Sequence, residues 1–407
     1  MKIAYLIHQD VRGIHGGAEV YARHLAEAAV HQGHDVLLIA RGDGHGERVH
    51  RADENGVAYA VLDAASLPKP GALIRLRETY DNPRAYELLK NIISTFAPDH
   101  LHVHHLLLTS ARIVEWAVAH KIPVTGTLHD YWGFCHRVTW TDPQQNECPG
   151  PAGGLNCRHC GKEMYNRWPG RMLQPAHAAA FVHRNRLLRR AYCLMQAVYA
   201  PSRALLEAHR QQGFAEVNLQ HRPYGLPSVE PCPRQRGAGP LVVGYVGRLV
   251  EEKGVETLIE AAKNGRGFMV RVYGKGVKGY KDYLRRLAAE APVEFAGSFA
   301  HEKIDEVLRG IDVLAVPSRW RENLPLVVLE AAARGVPVLV SDLGGLRETV
   351  ELCGASALPP GDVDAWETAL SQLAAGEQAL HQMARQVHYD FNIMDDVRIH
   401  LAGGKGE

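Results

Sequence analysis

No apolar run in this 407-residue chain approaches the roughly 18 residues that a membrane-spanning helix requires. Net charge is nearly absent too: 46 Lys and Arg stand against 45 Asp and Glu, a formal +1. That balance gives no electrostatic reason to expect nucleic acid as a partner. Short-period repeats and low-complexity tracts are missing, which sets aside repeat architectures. Cysteine is sparse and odd in number, seven in all, which fits a reducing, cytoplasmic setting better than a disulfide framework. The opening MKIAYLIH has one lysine and a short apolar run that soon meets Gln9, Asp10 and Arg12, so it reads as a first strand and not as a signal peptide. What is present, 46% hydrophobic and 22% charged residues, describes an ordinary globular chain. Its length exceeds what one core supports, so two domains are expected.

The first half alternates strand-like and helix-like segments. Strands are expected at 3–7, 35–40, 57–62, 100–105, 124–129 and 197–200, and GGAEVYARHLAEAAVHQG shows helical spacing with Gly33 as its stop. Segment 225–240, GLPSVEPCPRQRGAGP, reads as a boundary because it is rich in Pro, Gly and charge. The same grammar then restarts, with strands expected at 241–247, 268–274, VEFAG, 311–318 and 337–342. Alternation of this kind predicts parallel sheets covered by helices, and ligands bind such sheets beyond the C-terminal strand ends. The expected division is an N-terminal domain over 1–228 with a Cys-rich insertion at 131–165, a C-terminal domain over 229–385, and a helix and tail over 386–407 returning to the first domain.

Chemistry-bearing residues cluster at these strand ends. In ENLPLVVLEAAARG, Glu322 lies in a loop after the strand ending at Ser318, and Glu330 lies more than one turn inside a helix expected to run from about Leu324 to Gly335. The backbone N–H groups of that first turn suit a phosphate or a sugar hydroxyl. The plainer reading is a helix N-terminus with an acidic neighbour and a solvated Glu330. Arg248 directly follows another strand, and Lys253-Gly254 precede a helix, which makes an anion site fit for a diphosphate. Gly244 and Gly247 alone do not make a dinucleotide fingerprint. In HGGAE (15–19), Gly16 and Gly17 allow close backbone approach at the first strand-to-helix turn. His129 ends a buried strand, where it is either a satisfied structural residue or a functional one.

In this order the segments HGGAE, TLHD, GRLVEEKG, YGKG and PSRWRENLPLVVLEAAARGVPVLVSDLGG resemble the retaining nucleotide-sugar glycosyltransferases of family 4, and the match spans nearly the whole chain. The resemblance implies a GT-B fold: two doubly wound, Rossmann-like α/β domains facing across a cleft. It implies that Glu322, the first glutamate of E-x7-E, holds hydroxyls of the donor sugar, and that Glu330 holds the ribose. It further implies that Arg248 and Lys253 bind the donor diphosphate, that Asn323 and Leu324 offer backbone amides, and that Gly16 and Gly17 lie against the phosphates. His129 would approach the transferred sugar, while Gly247, Gly274 and Lys275 would line the nucleotide pocket. The implied activity is transfer from a UDP- or GDP-sugar to a saccharide or lipid-linked acceptor, as in polysaccharide, lipopolysaccharide or glycolipid synthesis. No protein nucleophile and no catalytic metal is expected: Asp362 and Asp364 sit in a PPGDVDAW loop that reads as a helix cap. Transfer to a small-molecule acceptor, a sugar-nucleotide epimerase and a non-catalytic sugar-nucleotide-binding module are the alternatives. The intact pattern of Arg248, Lys253 and both glutamates speaks against the last two.

Three features depart from or add to this pattern. Many relatives have Asn-Gly where RPYGLP (222–227) has Tyr224. Cys135, Cys148, Cys157 and Cys160, with His136 and His159 adjacent, form C-x12-C-x8-C-x2-C in a Gly/Pro-rich loop expected to lack hydrophobic residues of its own. That is the ligand inventory of a closed structural zinc site; unliganded thiols or a redox pair are the other readings. RNRLLRRAY (184–192), with Arg171 and His183 nearby, reads either as a solvated basic face or as a peripheral contact with anionic lipid at the inner face of a membrane.

Overall fold

The computed structural model describes residues 1–12, 16–42, 47–64, 72–144, 146–158, 160, 174–231 and 239–403. His15, His159, Arg171, residues 161–165 of the expected insertion and 232–238 of the expected boundary lie outside that set. By internal contacts the chain forms two units. One comprises Met1–Arg12, Ala18–Pro227 and Asn392–Glu407; Ser228–Phe391 belong to the other, with which Gly16 and Gly17 also group.

Among the described residues the first unit is built on eight strands: β1 (Lys2–Ile7), β2 (Asp35–Arg41), β3 (Glu47–Glu54), β4 (Val57–Ala64), β5 (His100–Val103), β6 (Val124–Thr127), β7 (Ala197–Ala200) and β8 (Leu219–His221). Their order is β3-β4-β2-β1-β5-β6-β7-β8. β1, β2, β5, β6 and β7 are buried along nearly their whole length, with His100 and His102 of β5 and Thr125 and Thr127 of β6 as the buried polar residues. The expectation of a wholly parallel sheet fails at one edge, where β3 pairs antiparallel with β4. The cause is local. Asn55 and Gly56 both take positive φ, 54° and 77°, the geometry of a two-residue hairpin turn. The Asn-Gly pair was the signal for it in the sequence. β5 and β6 end earlier than expected, so His104, His105 and His129 belong to the loops beyond the strands.

Among the described residues the second unit has six strands, all paired in parallel: β9 (Leu241–Val246), β10 (Phe268–Tyr273), β11 (Val293–Gly297), β12 (Val313–Val316), β13 (Val338–Ser341) and β14 (Ser356–Leu358). Their order is β11-β10-β9-β12-β13-β14. Aliphatic residues of these strands pack with Val255, Leu258 and Ile259 of helix Val255–Asn264 and with Trp366 and Leu370 of helix Val363–Ala375 into one core. Asp362 caps the latter helix, its side chain accepting from Ala365 N, as its place in the PPGDVDAW loop suggested.

Each sheet has one reversal of strand order. β1 pairs with β2 on one side and β5 on the other, and β9 pairs with β10 and β12. Loops leaving the C-terminal ends of such adjacent strands part to opposite faces, which opens a crevice. The C-terminal helix Ile393–Ala402 packs into the first unit. Its Asp396, fully buried, accepts hydrogen bonds from Tyr21 Oη at 2.7 Å, Gly225 N at 2.6 Å and Arg222 Nε at 2.8 Å.

Candidate functional site

At the β9/β12 reversal the second unit gathers charge. Arg248, exposed, follows β9. Lys253 ends the short turn before helix Val255–Asn264, whose N-cap position is Gly254, at φ 64° and without a side-chain cap. A Cβ at Gly254 would overlap the carbonyl oxygen of Pro317, so only glycine lets this helix entrance close onto the end of β12. From the other side come Ser318, Trp320 and Glu322. Three donors converge on Glu322 Oε1: Lys253 Nζ at 2.5 Å, Ser318 Oγ at 2.6 Å and Trp320 Nε1 at 3.0 Å. Glu322 is only 5% exposed, so these bonds offset the desolvation of its carboxylate. Among the described residues no partner is recorded for Oε2, which is left to accept from a ligand.

The second glutamate is held the same way. Glu330 Oε1 accepts from His301 Nε2 at 2.6 Å, again with no recorded partner for Oε2 among the described residues. Two turns fix the pair, because Arg334 donates both to the Glu330 carbonyl at 3.0 Å and to Asp305 at 2.7 Å. Glu330 is 5% exposed, which corrects the solvated reading of it. The helix carrying it spans Leu326–Ala333, two residues later than expected at its start. Pro325 is its N-cap and makes no side-chain cap bond. The sequence reading missed Ser318, Trp320 and His301, since nothing in their spacing announces that they fix carboxylates.

Asn323 and Leu324 are buried beside Glu322, and Lys275 is exposed beyond β10. A Cβ on Gly274 would strike the Gly247 carbonyl, and one on Gly247 would crowd the Tyr245 hydroxyl, so backbone packing already asks for glycine at 274. Gly16 and Gly17 are exposed, with Gly17 opening the helix Gly17–His31.

The first unit gathers imidazoles. His129 lies two residues past β6. Its Nδ1 is 2.8 Å from Tyr224 Oη and its Nε2 is 3.2 Å from His104 Nδ1. Burial, and then the neighbouring His104 and His105, push its pKa well below the usual histidine value, so it is neutral. His102, His104 and His400 are held neutral in the same way, burial first, and His100 is lowered to about 4. The rings of His102 and His400 stack at 4.3 Å.

The four cysteines of the expected zinc site are reduced and come from one neighbourhood. A bridge between Thr141 and Glu147 folds Cys148 back towards Trp140, and a turn joins Cys157 to Cys160. Gly150 N donates to Cys148 Sγ at 3.4 Å. Burial, and then the Cys135 sulfur, push Cys157 up to about 12 and Cys160 to about 11. Among the described residues no group of three or more His, Cys, Asp or Glu side chains is arranged to hold a metal ion. The loop is not without apolar anchors, contrary to expectation: Trp140 packs edge-on to Phe134 at 5.4 Å and against Tyr131 at 5.4 Å. The basic helix is also corrected in part. Arg184 is fully buried, donating to the Trp132 carbonyl at 2.6 Å with its guanidinium over the Trp132 ring, while Arg186, Arg189 and Arg190 are exposed. No helix among the described residues is long and apolar enough to cross a membrane.

Comparison with known proteins agrees with this arrangement. A glycogen synthase from Mycobacterium tuberculosis is 25% identical over 420 residues, covering 96% of this chain and 92% of its own. Among solved structures, sucrose-phosphate synthase from Thermosynechococcus elongatus superposes with a TM-score of 0.69 at 19% identity, covering 99% of this chain and 96% of its own. Anabaena HepE in complex with UDP and glucose gives 0.63 at 17%, covering 100% and 97%. These neighbours share the GT-B fold. Residues 233–388 match the family described as glycosyl transferases group 1, and residues 15–225 match Glycosyltransferase Family 4. The chain therefore belongs to glycosyltransferase family 4.

Proposed function

We propose that this glycosyltransferase takes its sugar from a UDP- or GDP-sugar and passes it, with retention of anomeric configuration, to a saccharide or lipid-linked acceptor. The observation that carries the reading is the pair of glutamates in the second unit, each with Oε1 fixed by protein donors and, among the described residues, no partner recorded for Oε2. A fixed carboxylate oxygen is suited to accept from a hydroxyl, so Glu322 takes the sugar and Glu330 the ribose. HepE, a neighbour with UDP and glucose bound, supports a nucleoside diphosphate as the ligand class.

Chemically, the reaction hinges on departure of the nucleoside diphosphate. Negative charge grows on its phosphate oxygens as the glycosidic bond breaks. Arg248, Lys253 and two helix N-termini without side-chain caps stand at the β9/β12 reversal to stabilise it. The departing phosphate oxygen then takes the acceptor's proton on the same face, so neither a protein nucleophile nor a catalytic metal is called for. Lys253 has a double task, since it also neutralises Glu322.

Structural zinc at Cys135, Cys148, Cys157 and Cys160 is a separate proposal. Four unpaired thiols from one loop and the amide donated to Cys148 speak for it, and the sulfurs, which are not grouped for an ion among the described residues, would have to draw together on binding. Exposed Arg186, Arg189 and Arg190 support a peripheral contact with anionic lipid.

A thermal-shift panel of UDP-, GDP-, ADP- and dTDP-sugars tests the donor reading, because a ligand that binds only the native state raises its melting temperature. A shift with a UDP- or GDP-sugar is expected. A shift with ADP- or dTDP-sugars alone would contradict it.

A further inference from the structure

Trp320 touches two charged residues of the β9/β12 reversal, each with a different part of its side chain. Its edge meets Glu322: Nε1–H donates to Oε1 at 3.0 Å, two residues along the same loop. Its face meets Lys253, whose ammonium lies over the ring, 5.7 Å from the centroid. An indole carries a donor at its edge and negative charge density on its face, so the two contacts are chemically independent. One can be removed while the other is kept.

Each contact meets a need that the geometry creates. Lys253 Nζ donates to Glu322 Oε1 at 2.5 Å, yet an ammonium has three N–H groups, and the other two have no recorded partner among the described residues. A diphosphate that takes those N–H groups competes with Glu322 for the same cation. The carboxylate, almost fully buried, then depends on its neutral donors, Ser318 Oγ at 2.6 Å and Trp320 Nε1, to keep Oε1 fixed. Lys253 sits on a flexible four-carbon stem and reaches Glu322 from the loop beyond β9, 69 residues away in sequence. The Trp320 ring gives its ammonium a fixed seat. The two loops do not rely on Trp320 to stay together. Arg319 N donates to the Glu252 carbonyl at 2.8 Å, and Gly254 lies against the Pro317 carbonyl. Trp320 itself is partly exposed.

We propose that Trp320 is a positioning residue with two separable parts, its indole N–H orienting Glu322 for the transferred sugar and its ring face holding Lys253 for the diphosphate. This rests on the roles proposed above for Glu322 and Lys253. The test is calorimetry on the intact chain with UDP, GDP, ADP and dTDP and with the glucose conjugate of each. Trp320→Phe keeps an aromatic face and removes the N–H, and Trp320→Leu removes both. Glu322→Ala and Lys253→Ala serve as references. For the nucleotide that the wild type binds, Trp320→Phe should hold the bare form within about twofold of wild type and the conjugate about fivefold more weakly, the worth of one hydrogen bond. Trp320→Leu should weaken the bare form as well, about two- to fivefold, as loss of an exposed cation–π contact does. A merely structural Trp320 would lower the melting temperature and leave the ratio of the two affinities at its wild-type value in both variants, which overturns the proposal. So does a Trp320→Phe that weakens both forms alike, or a Trp320→Leu that binds the bare form like wild type while Lys253→Ala loses it. Unchanged conjugate affinity in Glu322→Ala, or unchanged bare-nucleotide affinity in Lys253→Ala, would overturn instead the role of that residue. Binding of none of the four nucleotides by the wild type would overturn the donor reading itself, and the proposal with it.

Discussion

The two units share a doubly wound plan but equip its reversal point with opposite chemistry. Within and beyond β5 and β6 the first unit places imidazoles kept neutral by burial, tied to threonine inside the strands and to one another and to tyrosine beyond them. Beyond β9 and β12 the second unit places Arg248 and Lys253 against Glu322, with two uncapped helix starts. A neutral hydrogen-bonding surface handles hydroxyls without attracting ions, whereas the charged one is fit for a diphosphate. Under the proposed function, Arg248 and Lys253 of the second unit serve the diphosphate, its two glutamates serve hydroxyls of the donor, and the neutral His129 of the first unit serves the transferred sugar.

If that contrast holds, charge removal in the second unit has the severest consequence. Arg248→Ala and Lys253→Ala are each expected to slow transfer by ~10²–10³. They should part company in stability. Arg248 is exposed, so its loss leaves the melting temperature nearly unchanged. Loss of Lys253 leaves the buried Glu322 carboxylate with only neutral donors, which costs on the order of a few kcal/mol and lowers the melting temperature visibly. Equal turnover by both variants and wild type would remove the diphosphate assignment.

The first unit should show the contrast in its response to acid. His100 and His209 are lowered to about 4 by burial, and His102, His104, His129 and His400 well below the usual value. In the unfolded chain these histidines titrate near 6.5. A depressed folded pKa means that unfolding takes up protons. The stability it represents is therefore complete above about 6.5 and is lost as pH falls towards 4, at roughly 1–2 kcal/mol per buried histidine by pH 5. Denaturation of the first unit, followed by hydrogen exchange in β5 and β6, should steepen below pH 6.5 while β9 and β12 change less. Equal loss in both units would show that the histidines do not set acid stability.

A subtler difference lies in the cysteine loop. Under the zinc proposal carefully reduced protein retains about one equivalent of zinc, and Cys157→Ser/Cys160→Ser retains none. Retention of less than about a tenth of an equivalent by the wild type would leave unliganded thiols as the reading.

Much of the arrangement was legible beforehand because it rests on local grammar. Strand–helix alternation gave both sheets, and E-x7-E with Arg248 and Lys253 located the charged cluster. What was hidden depends on long-range pairing. The short edge strands β8 and β14 are too brief for a hydrophobic pattern, and β3 is polar because it lies at the edge. Ser318, Trp320 and His301 become site residues only once β12 and the turn before helix Ile304–Arg309 bring them to the glutamates. Tyr224 looked like a loss of the usual Asn, and its bond to His129 spans 95 residues. The basic face of helix Gln174–Cys193 hid Arg184, whose burial against Trp132 no charge pattern could reveal.

Division of roles between the two glutamates is the central claim, and calorimetry with bare UDP and GDP tests it most directly. Both nucleotides lack the transferred sugar, so the contacts to the base, the ribose and the diphosphate remain and those to the transferred sugar are gone. Whichever nucleotide the wild type binds, Glu330→Ala should weaken that binding about tenfold or more, as expected for a charged hydrogen bond to the ribose. Glu322→Ala should leave it close to wild type and weaken only the intact sugar nucleotide. The reverse pattern, with bare nucleotide affinity lost in Glu322→Ala and kept in Glu330→Ala, would contradict the account.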